Sequence, residues 1–229
     1  MAMLWIGHIA SHGLRKCGSC WQSVPNAVPQ GSAGILASKF LRSAEFLHAF
    51  TQLRDGEIAW IIQQVAEYVE RQRETYRGRA VPLDGHQRLA VQAFFPASTL
   101  NAARVIALAA ERVSNPPFYP ELHRMGFEPS ALPNFSLMAA ITFVDTVVSH
   151  EQFTDRLLFH ELVHVIQYEK LGLKGFASKY VRGFLRGGSY EAIPLEANAY
   201  ELEARFATAA TTPFSAEDEV QSWIDSQRF

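Results

Sequence analysis

At 229 residues, 48% of them apolar, the chain is long enough to bury one substantial core, and wholesale disorder is excluded. Its 21 basic and 23 acidic residues leave a net charge of −2, so nothing in the balance draws it to nucleic acid or an anionic membrane surface. No apolar run approaches the roughly 18 uncharged residues a membrane span needs, and 2 cysteines do not make a disulfide framework.

Residues 1–34 are rich in Gly, Ser and Pro and read as a poorly ordered leader. Its charges follow its short apolar patch, the reverse of a secretory signal, so a cytoplasmic location is expected. Cys17 and Cys20 form a C-x-x-C pair that His8 and His12 would complete as a zinc site. No scaffold surrounds them, and reduced thiols in a loose leader are the favoured reading. From Ile35 the texture becomes helical, with Leu36, Phe40, Leu41, Phe46, Leu47 and Phe50 at near-helical spacing. A longer helix follows over "GEIAWIIQQVAEYVERQRETYRG", its stripe made by Ile58, Ile61, Ile62, Val65, Tyr68 and Val69, with Gly78 close to its end. The arginines of its tail, Arg71, Arg73, Arg77 and Arg79, alternate with Glu70 and Glu74 and read as a solvated helix end. "LDGHQRLAVQAFF" predicts a short helix stopped by Pro96, closing an N-terminal helical part over 35–95.

Residues 96–212 carry the candidate catalytic core. "RVIALA" (104–109) predicts a short buried strand, and the Pro-punctuated segment after it a surface stretch able to wall a cleft. "AAITFVDTVVSH" (139–150) favours a strand or hairpin, with Asp145 near the turn. The strongest helix is "FTDRLLFHELVHVIQYEKLG", with Thr154 or Asp155 to cap its start and Gly172 placed to end it. Two further helices are expected, over "KGFASKYVRGFLRGG" and, after Pro194, over "LEANAYELEARFATAA". Residues 213–229 form an acidic tail that docks through Trp223 and Ile224.

Within the strongest helix, His160 and His164 stand four apart, one turn above each other on one face, and can present their imidazoles to one point. That is half of a tetrahedral zinc site. Glu161 is offset by one residue, beside such a metal instead of on it, where it can take a proton from a zinc-activated water whose pKa lies near 7. A third donor is needed. Lys170 occupies the position six residues after His164, so a third histidine there is excluded. Downstream, "SYEAIPLEANAYELEARF" offers Glu191, Glu196, Glu201 and Glu203. Glu196 is favoured because Pro194 fixes it in the first turn of a helix. Glu191, in the preceding loop, is the fallback, and Glu201 and Glu203 are assigned to solvent. For stabilising an oxyanion, Tyr190 and Tyr200 are the candidates, with Tyr180, His150 and Arg186 conceivable.

"HELVHVIQY" followed by "PLEANAY" resembles the gluzincin branch of zinc metallopeptidases, and small bacterial HExxH proteins in particular, over about residues 95–206. The resemblance implies His160, His164 and Glu196 as ligands of one Zn2+ per chain and Glu161 as general base. It also implies a strand ahead of the motif helix whose edge holds an extended peptide. Many gluzincins place an aspartate four residues after the third ligand, where it orients a ligand histidine; this chain has Tyr200 there, with Asn198 or Tyr200 as the possible substitute.

The expectation is therefore a helix-dominated α+β, zincin-like domain with a small sheet before the HExxH helix. It would be a zinc metallopeptidase with a peptide or protein substrate, no nucleic-acid partner and no membrane span. The rival readings are a zinc hydrolase of a non-peptide amide or ester, and a non-enzymatic protein with a structural or relic zinc.

Overall fold

A computed structural model describes residues 53–208 and 212–229. The leader, its C-x-x-C pair and the helix expected near 35–50 lie outside the described residues. The rest is α+β and helix-dominated, with a small three-stranded sheet ahead of the motif helix, as expected.

Helix α1 spans Asp55–Arg77. Glu57 reaches back to the Arg54 amide at 2.7 Å, which closes its first turn. Ile61, Tyr68 and Val69 of the expected stripe are buried. The arginine tail differs from the sequence reading. Arg73 grips Asp145 through two hydrogen bonds of 2.7 and 2.8 Å, and Arg77 lies 3.3 Å from the same carboxylate. Asp145 sits in a two-residue hairpin turn whose other member, Val144, has φ 61°, a costly conformation for a β-branched residue. The arginines thus hold a strained turn instead of trailing into water.

Helix α2 (Gly85–Val91) starts from a reciprocal capping box between Asp84 and Gln87. It ends four residues short of the expected stop. Phe94 and Phe95 turn into the core, and Pro96 caps a further short helix, α3 (Ala97–Ala102), where the sequence pattern shows only a stop. Strand β1 (Arg104–Ala107) runs parallel to β3 (Thr146–Ser149), and β2 (Ala140–Phe143) pairs antiparallel with β3, giving the order β1-β3-β2. Every residue of the central strand β3 is buried. Between β1 and β2 lie helix α4 (Tyr119–Arg124) and a 3-10 turn at Phe135–Leu137.

The motif helix, α5, spans Asp155–Gly187 and is capped by the Thr154 hydroxyl. Gly172, with φ 66° and ψ 166°, breaks it where the sequence places an end. The two halves abut without a linker and fold back on each other. Phe176 stacks on Tyr168 at 3.7 Å and lies 6.2 Å from His164, a separation of twelve residues that would be about 18 Å in a straight helix. A 3-10 turn (Tyr190–Ala192) then leads to α6 (Pro194–Thr208). Gly183 permits that path, since a Cβ there would lie 2.6 Å from the Pro194 ring. Helix α7 (Ala216–Asp225), capped by Ser215, buries Trp223 against Phe229, while Ile224 is half-buried. Among the described residues no helix is long and apolar enough to cross a membrane.

Candidate metal centre

From Leu158 to Tyr168 every residue of α5 is buried, so the motif lies in the core among Leu158, Phe159, Leu162 and Ile166. His160, Glu161 and His164 are 6, 4 and 5% exposed, and polar groups so buried need partners. Each ring nitrogen that points away from the cluster has one. His160 Nδ1 lies 3.2 Å from Glu203 Oε2, and His164 Nδ1 lies 2.8 Å from Gln167 Oε1. The Gln167 amide is fixed in this sense because its Nε2 donates to Leu195 O and Asn198 Oδ1 at 3.0 and 2.9 Å. With Nδ1 the donor in both neutral rings, both Nε2 lone pairs face inward.

They converge on Glu196, which is 3% exposed in the first turn of α6. The Nε2 atoms are 3.2 Å apart, and Glu196 Oε2 is 3.6 Å from that of His160 and 3.4 Å from that of His164. Ligand bonds of about 2.0–2.1 Å at the tetrahedral angle place donor atoms about 3.3–3.4 Å apart, so this triangle has the size of one face of such a site. Glu196 Oε2 is buried and makes no hydrogen bond among the described residues. Three electron-rich atoms facing one another without a cation repel; a bound cation relieves them all. His160, His164 and Glu196 therefore form a buried group that could hold a metal ion.

Without a metal, protons take that place. Burial alone would lower the His160 pKa, but Glu196 and Glu203 beside it lift it to about 10. His164 moves upward for the same reason, Glu196 outweighing its burial. Burial would raise the Glu196 carboxyl, yet the two imidazoles hold it well below the usual carboxylate range.

Glu161 stands beside this group, not in it. Its Oε2 accepts from the Thr142 hydroxyl on β2 at 2.7 Å, while its Oε1 makes no hydrogen bond among the described residues. A cavity of about 100 Å³ opens against Glu161, His164 and Glu196.

The other sequence candidates separate clearly. Glu191 is exposed in the 3-10 turn and takes no part in the cluster, which corrects its place as fallback; it precedes the helix that delivers Glu196. Tyr190 and Tyr180 line the cavity, and their hydroxyls bond to no described residue. Burial, reinforced by the charge of Glu196, keeps both phenols protonated. Tyr200 is 47% exposed and lies outside the cavity wall, its ring 4.6 Å from that of His160. His150 is occupied elsewhere, accepting from the Val113 amide at 3.0 Å and lying 2.6 Å from Met138 O, and Arg186 is exposed. Glu201 pairs with Arg228 at the surface.

Glu203 is the main correction. The sequence alone leaves it facing solvent, yet it holds His160 and is itself bound by Arg156 at 3.0 and 2.7 Å. Neither Tyr200 nor Asn198 accepts from His160 Nδ1; Glu203 does, from seven residues after Glu196. Two periods were the available signals. Seven residues is two helical turns, so Glu203 shares a face with Glu196, and Arg156 stands one turn before His160. Gln167, three residues after His164, carried the same kind of signal, whereas nothing in the sequence pointed to Thr142. Comparison with family models, with curated proteins and with solved structures finds no match to this chain.

Proposed function

We propose that the chain is a zinc-dependent peptidase, with His160, His164 and Glu196 holding one Zn2+ and Glu161 acting as general base. The observation that carries the reading is the convergence of three lone-pair donors at tetrahedral spacing, with a separate carboxylate held alongside and facing a cavity. A purely structural site has no use for that fourth residue, and this weighs against the non-enzymatic reading. Two histidines and one carboxylate with room for a further ligand match the donor set of catalytic zinc. Bound there, zinc supplies Lewis acidity, bringing the pKa of a water to about 7 and polarising a carbonyl.

The chain's own groups perform the remaining tasks. Thr142 fixes one carboxylate oxygen of Glu161, which leaves the other to take a proton from the attacking water and return it to the departing amine. Tyr190, with Tyr180 beside it, offers a protonated hydroxyl to the oxygen on which negative charge develops. Strand β2 pairs with β3 alone among the described strands, and its free edge, next to Glu161 through Thr142, suits an extended peptide.

The test is metal analysis joined to cleavage. Purified protein should hold about one zinc per chain, lost in His160→Ala and His164→Ala. Glu161→Gln should keep the zinc and lower cleavage of an unbiased peptide library by about 10²–10⁴-fold. Zinc-loaded wild type that cleaves nothing in that library would overturn the peptidase reading in favour of the non-peptide or structural ones.

A further inference from the structure

The cavity beside Glu161 has a composition unlike that of the metal group it touches. Its wall is apolar or aromatic almost throughout, drawn from α1 (Val65), the Pro-punctuated segment (Leu122, Leu132), β2 (Ile141) and the half of α5 beyond the Gly172 bend (Val181, Leu185). Among the described residues no Lys, Arg or Asp lines it, and its ionisable groups other than the tyrosines are Glu161, His164 and Glu196 themselves. An anionic group entering would lose its water and meet only the Glu161 and Glu196 carboxylates, and a cationic one would have for partner only the single Glu161 oxygen that Thr142 leaves free. Cores hold few voids larger than a water molecule, so an opening of about 100 Å³ among so many large side chains is a site in waiting and not ordinary packing.

Its size narrows the occupant. An apolar cavity of about 150 Å³ stays dry and takes benzene. At about 100 Å³ this one matches a branched aliphatic group and is too small for an indole. We propose that the cavity is the recognition pocket for one branched aliphatic side chain of the substrate, of leucine or isoleucine size, and that it places the bond next to that residue against Glu161. The inference rests on the peptidase reading for its consequence. The pocket itself is testable without turnover.

The experiment measures binding of three hydroxamates to the zinc-loaded full chain by calorimetry: acetohydroxamate, 4-methylpentanoyl hydroxamate and indole-3-propionyl hydroxamate. Burial of the isobutyl group should tighten the second about 10- to 100-fold over the first, with the indole giving no such gain. Val65→Phe, at a half-buried position able to accept the larger ring, fills the pocket and should abolish the gain while leaving acetohydroxamate unchanged; Val181→Phe, from α5, should do the same. Equal affinity of the first two ligands, tighter binding of the indole, or an undiminished gain in both variants would overturn the pocket. Because hydroxamate binding needs the metal but no cleavage, these outcomes stand even if every peptide proves inert. A chain that takes up no zinc refutes the peptidase reading instead, and the pocket is then decided by xenon NMR on the same protein. A bound-xenon shift in wild type that is lost in Val65→Phe supports it, and no shift overturns it.

Discussion

Removing Glu203 isolates how much of the site's metal affinity is held by a residue that touches no metal. Its Oε2 accepts a hydrogen bond from His160 Nδ1–H at 3.2 Å, fixing the ring's tautomer and rotation, and its negative charge makes Nε2 a better donor. Partners of this kind are worth about 10- to 100-fold in metal affinity, or about 1.4–2.7 kcal/mol. Two features of this contact pull the expectation toward the lower end. A distance of 3.2 Å is long for such a bond, and Arg156 already neutralises part of the charge through the other oxygen. Glu203→Ala should therefore weaken zinc binding about 10- to 30-fold, and Glu203→Gln, which keeps an acceptor without the charge, about 3- to 10-fold. Arg156 is 61% exposed, so Arg156→Ala should cost less than about threefold. Competition against a chelator of known affinity, at fixed pH and with circular dichroism to confirm folding, gives all three values. A Glu203→Ala affinity within twofold of wild type refutes the orienting role. An Arg156→Ala loss larger than that of Glu203→Ala would reverse the assigned order of the two residues.

Thr142→Val replaces a hydroxyl by a methyl of similar volume, removing the 2.7 Å donor to Glu161 without touching the zinc donors. Zinc content should stay at one per chain while kcat falls about tenfold or more at unchanged KM, and a kcat within twofold of wild type would show that Glu161 needs no such support. Zinc uptake near pH 7 should release about one proton or more, because the metal-free chain holds His160 protonated with its pKa lifted to about 10 and His164 is shifted upward beside it, and zinc affinity should rise by about tenfold or more per pH unit. Calorimetry in buffers of different ionisation enthalpy reads this directly. For stability the sign follows from the raised value. In the chelated protein this group's contribution is complete below about pH 6.5 and is lost as the pH climbs toward 10. Asp145→Ala frees Arg73 and Arg77 from the Val144 turn. Both arginines are about one-third exposed, which limits the loss to about 1–2 kcal/mol, a fall in Tm of about 2–8 °C by thermal circular dichroism.

The parts of this site that the sequence made legible are those whose geometry is set inside one element. His160, Glu161 and His164 follow from the helical repeat alone, and Glu196 from a proline that starts a helix two residues earlier. The fold class was legible for the same reason. Apolar periods fixed α1, the hairpin and the motif helix, and Thr154 and Gly172 marked where that last helix begins and breaks. What escaped needed a second element in place. Arg73 reads as a solvated arginine until the hairpin brings Asp145 to it, and Pro96 reads as a stop until Phe94 and Phe95 are seen turning inward ahead of α3.

The same division runs through the candidate metal centre. Two histidines one turn apart would occur on any helix bearing that motif; alone, their rings turn freely and favour neither nitrogen. Each ring is fixed by a residue from a different kind of place: Gln167 on the same helix, held in turn by Leu195 and Asn198 of α6, and Glu203 two turns further along α6. Helix α6 therefore supplies the third donor and also anchors the orienting partner of each of the other two. Its docking against α5 depends on Gly183, where any side chain would strike Pro194. A change at Gly183 should thus loosen the three donors and their two orienting contacts in one step, though it lies far along the chain from the motif. The chemistry is local in sequence, but its precision belongs to the contact between two helices.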